Sequence, residues 1–153
     1  MIDTDINNQK RRQNQEPAAF AYDEFLNYEE YMDWINHVDE NHGGLNVTVT
    51  TLGTTYENRL VPAMVIPGYR EETLNNPGIV VDCGIHANEW AGPAMCRLFV
   101  HELMKCTEAE NYDECDPIIR DQFYDYNWFI MPLVNPDGYS YTWSGEICHK
   151  NMS

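Results

Sequence analysis

His86 and Glu89 stand at i and i+3, shortly after the β-branched run Ile79-Val80-Val81 and the glycine at position 84. At that spacing, where a helix opens, two side chains share one face, so an imidazole nitrogen and a carboxylate oxygen can meet on one metal ion. Catalytic zinc sites favour two histidines and one glutamate, with a further position left open to water. Such an ion acidifies water and polarises a carbonyl, which is the chemistry of hydrolysis. The pattern His-x-x-Glu also occurs on ordinary solvated helices, and taken alone that bland reading is the commoner one; the preceding apolar run and Gly84 strengthen the ligand reading. Other chemical candidates are poorer. His101-Glu102 begins like His-Glu-x-x-His, but Lys105 takes the last place. His37 and His42 read as surface residues near a helix end. No Gly-rich phosphate loop and no serine in a nucleophile elbow is present in the sequence.

The elements that must position this pair follow from periodicity. Tyr31, Trp34, Ile35 and Val38 recur at helical spacing, predicting a helix over 28–42 that stops at Asn41-His42-Gly43-Gly44. Alternation around Leu45, Val47 and Val49 predicts a strand over 45–52. A second strand is expected over 60–66, with Pro62 demoting it towards an edge. Ile79-Val80-Val81, after the turn Asn75-Asn76-Pro77-Gly78, begins a short strand of the buried kind. A helix over 91–105 follows, with Pro93 in its first turn and an apolar stripe of Ala91, Ala94, Met95, Leu98, Phe99 and Leu103. A short helix is expected over 118–123 and a third apolar strand over 128–134, ending at the turn Asn135-Pro136-Asp137-Gly138. Strand, helix, strand in that order implies an α/β fold. We expect a mixed, mostly parallel central sheet with helices on both faces. Ligands of such sheets bind at strand ends, where both the 84–90 segment and the 135–138 turn lie.

The bulk composition bounds the rest. The chain has 153 residues, 43% apolar and 12% aromatic, which suits one packed domain. Residues 1–20 are polar and lack periodicity, so they read as a tail or linker before a domain over 21–153; Lys10-Arg11-Arg12 within it is either a solvated basic patch or a processing site. A net charge of −16 repels phosphate backbones and anionic lipid, arguing against nucleic-acid and membrane partners. The apolar runs are too short to span a bilayer, and no secretory signal opens the chain. The five cysteines, Cys83, Cys96, Cys106, Cys115 and Cys148, form no Cys-x-x-Cys pair. With the acceptor patterns Asn46-Val47-Thr48 and Asn151-Met152-Ser153, they favour an extracellular, secreted origin. The acidic group Glu108, Glu110, Asp113, Glu114 and Asp116 reads as a solvated loop.

Three ordered segments resemble one family. Cys83-Gly84-Ile85-His86-Ala87-Asn88-Glu89-Trp90, followed by Pro93-Ala94 and Cys96, is similar to the zinc-binding segment of the metallocarboxypeptidases of the carboxypeptidase A and B family. Pro132-Leu133-Val134-Asn135-Pro136-Asp137-Gly138-Tyr139, with Tyr141-Thr142-Trp143 after it, resembles a second hallmark, and Leu52-Gly53-Thr54-Thr55-Tyr56-Glu57-Asn58-Arg59 a third. The resemblance runs from about Tyr28 to Ser153. It implies that His86 and Glu89 bind Zn2+. It also implies that the third histidine ligand, the general-base glutamate, the Asn-Arg clamp for a C-terminal carboxylate and a capping tyrosine lie beyond Ser153. The chain is thus expected to be the N-terminal portion of a catalytic domain.

Two positions depart from the family pattern. Asn88 stands where an arginine often helps to bind substrate. His149 falls where an arginine that polarises the scissile carbonyl is expected, when His149-Lys150-Asn151-Met152-Ser153 is set against Arg-Lys-x-Arg-Ser. A neutral imidazole donates one hydrogen bond but lacks the permanent charge and the fork of arginine. In the carboxypeptidase B branch the positions of Cys83 and Cys96 look disulfide-bonded; the other reading is two buried free thiols. Cys106 and Cys115 bracket the acidic loop and are candidates for a second bridge.

The resemblance implies hydrolysis of the C-terminal peptide bond of peptides or proteins by a protein that is monomeric when full length. The alternatives are a catalytically inactive carboxypeptidase-like binding protein, a related zinc acylase, against which the Asn-Pro-Asp-Gly turn argues, and a fragment with an open sheet edge that aggregates.

Overall fold

The computed structural model describes residues 22, 24–40, 47–68, 76–106, 117–118 and 125–144. The tail, Asn46, most of the 118–123 helix, the acidic loop, Cys115, Cys148 and His149 lie outside the described residues.

The first helix, α1, spans Tyr28–Glu40. It begins with a reciprocal capping pair: Glu30 N donates to Asn27 Oδ1 at 2.9 Å, and Asn27 N to Glu30 Oε2 at 3.0 Å. All four residues of its predicted stripe, Tyr31, Trp34, Ile35 and Val38, are buried. Strand β1 spans Thr48–Thr54 and β2 spans Leu60–Ile66. Strand β3 spans Gly78–Asp82, helix α2 Ala91–Lys105, strand β4 Asn127–Met131 and helix α3 Pro136–Trp143.

The sheet order is β1-β2-β4-β3, with β1-β2 and β2-β4 antiparallel and β3-β4 parallel. The sheet is therefore mixed but mostly antiparallel among the described residues, which corrects the expected parallel majority. The strand-helix-strand unit β3-α2-β4 does yield the one parallel pair. The difference arises because the short 55–59 connection allows only an antiparallel hairpin, and β2 then inserts beside β4. Pro62 does not mark an edge strand. Pairing with β4 starts at Met64, beyond the proline, and on the β1 side the register shifts between Thr51 and Gly53. The missing N–H thus falls where regular pairing is already interrupted.

The core lies on the sheet face of Met64, Ile66, Trp128 and Ile130, in one cluster with Tyr31, Trp34, Ile35 and Val38 of α1, Cys96, Val100 and Leu103 of α2, and Tyr139 of α3. On the opposite face the paired residues Val80 and Phe129 are 63% and 42% exposed, so the described helices do not cover it. Helix α2 buries a stripe that matches the expected one only in part, at Leu103 and, partly buried, Phe99. Pro93, Cys96, Arg97, Val100 and Leu103 are inward, and Met95 is exposed. Apolar residues surround most of this helix, so periodicity alone does not choose the face. Strand β4 ends at Met131, just before Pro132, which has no N–H to donate.

One buried hydroxyl joins α1 to both site-bearing segments. Tyr31 Oη lies 3.0 Å from Pro93 O, in the first turn of α2, and 3.2 Å from Pro132 O, just past β4. Burial holds its phenol pKa well above the ordinary value, so it remains a donor. Tyr31→Phe leaves these carbonyls without their donor. It is expected to retain the fold but lose about 1–3 kcal/mol of stability in urea denaturation; an unchanged midpoint would show that this anchor carries no weight.

Candidate metal centre

The segment carrying His86 and Glu89 leaves the C-terminal end of β3 and enters α2. Its first bend is at Gly84, where φ is +72°. A side chain is excluded there on two counts: the left-handed backbone, and a Cβ that would sit 2.9 Å from Leu133 Cδ1 and 3.0 Å from Pro93 Cγ. The ladder continues one step past each strand, with Cys83 N donating to Met131 O and Val134 N to Cys83 O, both at 3.0 Å. The chain then turns. Glu89 N donates to His86 O at 3.1 Å, and Gly92 N to Glu89 O at 3.0 Å.

This turn brings the predicted donors together. His86 Nδ1 and Glu89 Oε2 are 3.1 Å apart, and the two side chains are 69% and 66% exposed. A basic nitrogen and a carboxylate facing each other, open to solvent at the start of a helix, suit a divalent cation. The donor chemistry therefore fits zinc for two of the three protein positions that catalytic sites use. Among the described residues no third His, Cys, Asp or Glu joins them. Asn88, the expected substrate contact, is exposed on the same turn. The other expected catalytic position, His149, lies outside the described residues.

Behind the pair, Cys83 and Cys96 are both free thiols, so the disulfide implied by the resemblance is absent and its reduced form is present. The two are hydrogen-bonded. The bond from Cys96 stabilises the Cys83 thiolate and lowers its pKa; the same bond, with burial, pushes the Cys96 thiol up. Cys106, at the end of α2, is disulfide-bonded.

The Asn135-Pro136-Asp137-Gly138 segment is more than a turn. It is the N-terminus of α3, a helix the periodicity reading missed. Asn135 Oδ1 accepts from Gly138 N at 3.0 Å and Pro136 opens the helix. An N-cap asparagine, a proline in first position and an acid behind it were the available signal. Asp137 then reaches the β1-β2 hairpin. Its Oδ1 accepts from Thr55 Oγ1 at 2.6 Å and from Arg59 Nη1 at 2.9 Å, and its Oδ2 accepts from Glu57 N at 3.1 Å. Arg59 also pairs with Glu57. The hairpin motif and the Asn-Pro-Asp-Gly motif thus interlock. Trp90 and Trp143 stack with centroids 4.3 Å apart and planes 4° from parallel.

The observed architecture is an α/β domain with an exposed His-Glu pair just past the C-terminal end of a parallel strand. The particular family follows from comparison. The sequence model of the zinc carboxypeptidases matches residues 31–153, and the chain belongs to that family. It is 30% identical to human carboxypeptidase A6 over 136 residues, covering 89% of this chain and 29% of the relative. To rat carboxypeptidase B it is 33% identical over 129 residues, covering 84% and 29%. A crystal structure of thrombin activatable fibrinolysis inhibitor aligns with TM-score 0.67 at 29% identity, over 80% of this chain and 28% of that one. Carboxypeptidase A from Helicoverpa armigera shares the fold, with TM-score 0.67 at 22% identity, over 87% and 30%. The chain spans less than a third of the length of the curated relatives it matches.

The Asp137 carboxyl is desolvated, which alone raises its pKa, but the bonds from Thr55, Arg59 and Glu57 N outweigh this and lower it. A folded pKa below the unfolded value of about 3.9 means that the contribution is complete above that value and lost as pH falls through the folded pKa. We expect Asp137→Asn to be less stable than the native chain at pH 7, and the gap in urea midpoints to shrink below about pH 4. A gap independent of pH would exclude the ion pair as its source.

Proposed function

We propose that the complete protein is a zinc-dependent carboxypeptidase that hydrolyses the C-terminal peptide bond of peptides or proteins, with His86 and Glu89 as two of its zinc ligands. The observation that carries this reading is the 3.1 Å approach of His86 Nδ1 to Glu89 Oε2 on an exposed strand-end turn, in a chain of the zinc carboxypeptidase family. Zinc bound there supplies a Lewis acid for a scissile carbonyl and an acidified water. This chain's own residues hold the site: Gly84 lets β3 turn, the start of α2 presents Glu89, and Asn88 faces solvent where a substrate can approach. Among the described residues no third ligand joins this pair.

The same reading places the protein outside the cell as a monomer, without nucleic-acid or membrane partners, consistent with its charge of −16. There Asn46 is a glycosylation acceptor. His149 would take up the carbonyl-polarising role with a single hydrogen bond. Residues 1–20 are a linker to the domain. A second reading is a catalytically inactive relative that binds peptides; it is favoured by the neutral Asn88 and by His149 at expected arginine positions.

Full-length protein is expected to carry one zinc and to release C-terminal residues from a peptide library. His86→Ala is expected to lower zinc affinity by more than the ~10–100-fold typical of a merely supporting residue. Protein that holds stoichiometric zinc yet cleaves no peptide would establish the inactive reading instead. Retention of wild-type zinc affinity in His86→Ala would overturn the site.

A further inference from the structure

The loop of residues 84–89 lies between the β3 ladder and α2, so its shape depends on what packs against it. Helix α3 lies on one side. There Asn135 makes two bonds of opposite sense from one amide: Oδ1 accepts from Gly138 N at 3.0 Å, and Nδ2 donates to Ile85 O at 3.1 Å. The chemistry leaves no freedom in the orientation of that amide, because Gly138 offers only a donor and Ile85 only an acceptor. The residue on the other side of His86 is held as well. A Cβ on Gly138 would fall 2.8 Å from Ala87 Cβ, so the glycine lets α3 close onto Ala87. Further along α3, Thr142 Oγ1 accepts the Trp90 indole N–H at 2.8 Å and lies 3.5 Å from Ala87 O. Both neighbours of His86 in the chain are thus fixed by α3, while the His86 side chain itself is open.

We propose that Asn135 is a positioning residue for the metal donors: its carboxamide caps α3 with one end and with the other clamps the Ile85 carbonyl, setting the direction in which His86 leaves the loop. The proposal rests on the zinc-site reading above for its consequence, but not for its geometry. Serine and aspartate also cap helices. Serine is too short to reach Ile85, and aspartate has no proton to donate to a carbonyl. Both substitutions therefore separate the cap from the clamp.

The test uses the whole 153-residue chain, as Asn135→Ser and as Asn135→Asp, with three readouts. Urea midpoints report the cap and are expected to change little. Amide hydrogen exchange in metal-free protein reports the clamp; residues 85–89 are expected to exchange about tenfold faster, while α3 is unchanged. Zinc affinity, measured for the serine variant by chelator competition, is expected to fall about tenfold, at the low end of what supporting residues contribute. Unchanged exchange over 85–89 in both variants overturns the proposal, whatever the zinc result. If the native chain takes up no zinc at either the expected or higher concentrations but exchange still accelerates, the positioning role stands and the zinc reading fails. If the native chain and the serine variant bind zinc equally with unchanged loop exchange, the zinc reading stands and the positioning role fails.

Discussion

The carboxylate of Asp137 is the point on which the architecture around the site turns. It accepts hydrogen bonds from Thr55 Oγ1, Arg59 Nη1 and Glu57 N, so the first turn of α3 is tied to a hairpin roughly eighty residues earlier in the chain. Two residues before it, Asn135 faces the opposite way and bonds Ile85 O. A single turn thereby connects the outer hairpin of the sheet to the loop that presents His86 and Glu89. Hydrogen bonds to an ionised carboxylate are stronger than neutral ones, so the charged half of this junction is its stronger tie. The arrangement also explains why three motifs far apart in sequence occur together: each makes contacts that the others complete.

Around that junction the packing is unforgiving. Gly84 has no room for a methyl group between Leu133 and Pro93, and Gly138 has none against Ala87 and the Asn135 amide. Tyr31 reaches from α1 to carbonyls in both the α2 and β4 segments, and Tyr139 Oη, on α3, donates to Leu26 O at 2.5 Å, just before α1. Side chains within a close-packed interior transmit displacement rather than absorb it. The two donors, by contrast, are exposed. Order is concentrated in the backbone beneath them and openness in the side chains above.

The sheet face opposite the core has a different character. Val80 and Phe129 are neighbours across the parallel pair and remain substantially exposed, and Met95 and Ile85 add apolar surface near the site. Apolar surface of this kind ordinarily lies against other protein. The chain spans less than a third of its relatives' length, and an uncovered face is compatible with that proportion.

Local pattern was enough for a good part of this protein. The α1 stripe, the bounds of β2, the start of α2 at Ala91 and the His86–Glu89 pair were all legible, because each depends on periodicity, caps or spacing within a few residues. Other features were not. The antiparallel majority depends on which strand β2 pairs with, and no local pattern encodes a neighbour. The inward face of α2 is set by packing into the shared core, since apolar residues lie on several sides of the helix. The α3 helix is short and its amphipathic signal slight, so Asn135-Pro136-Asp137-Gly138 reads as a turn until its cap is seen. The residue types and spacing by themselves determined that a His-Glu pair follows a β-branched strand; that this strand is a sheet edge among the described residues, with no fully buried residue, and not the buried kind expected, depended on its neighbours. Only the tertiary structure decided that Asp137 and Asn135 hold the hairpin and the loop together, because hydrogen bonds spanning 50 to 82 residues have no period to betray them.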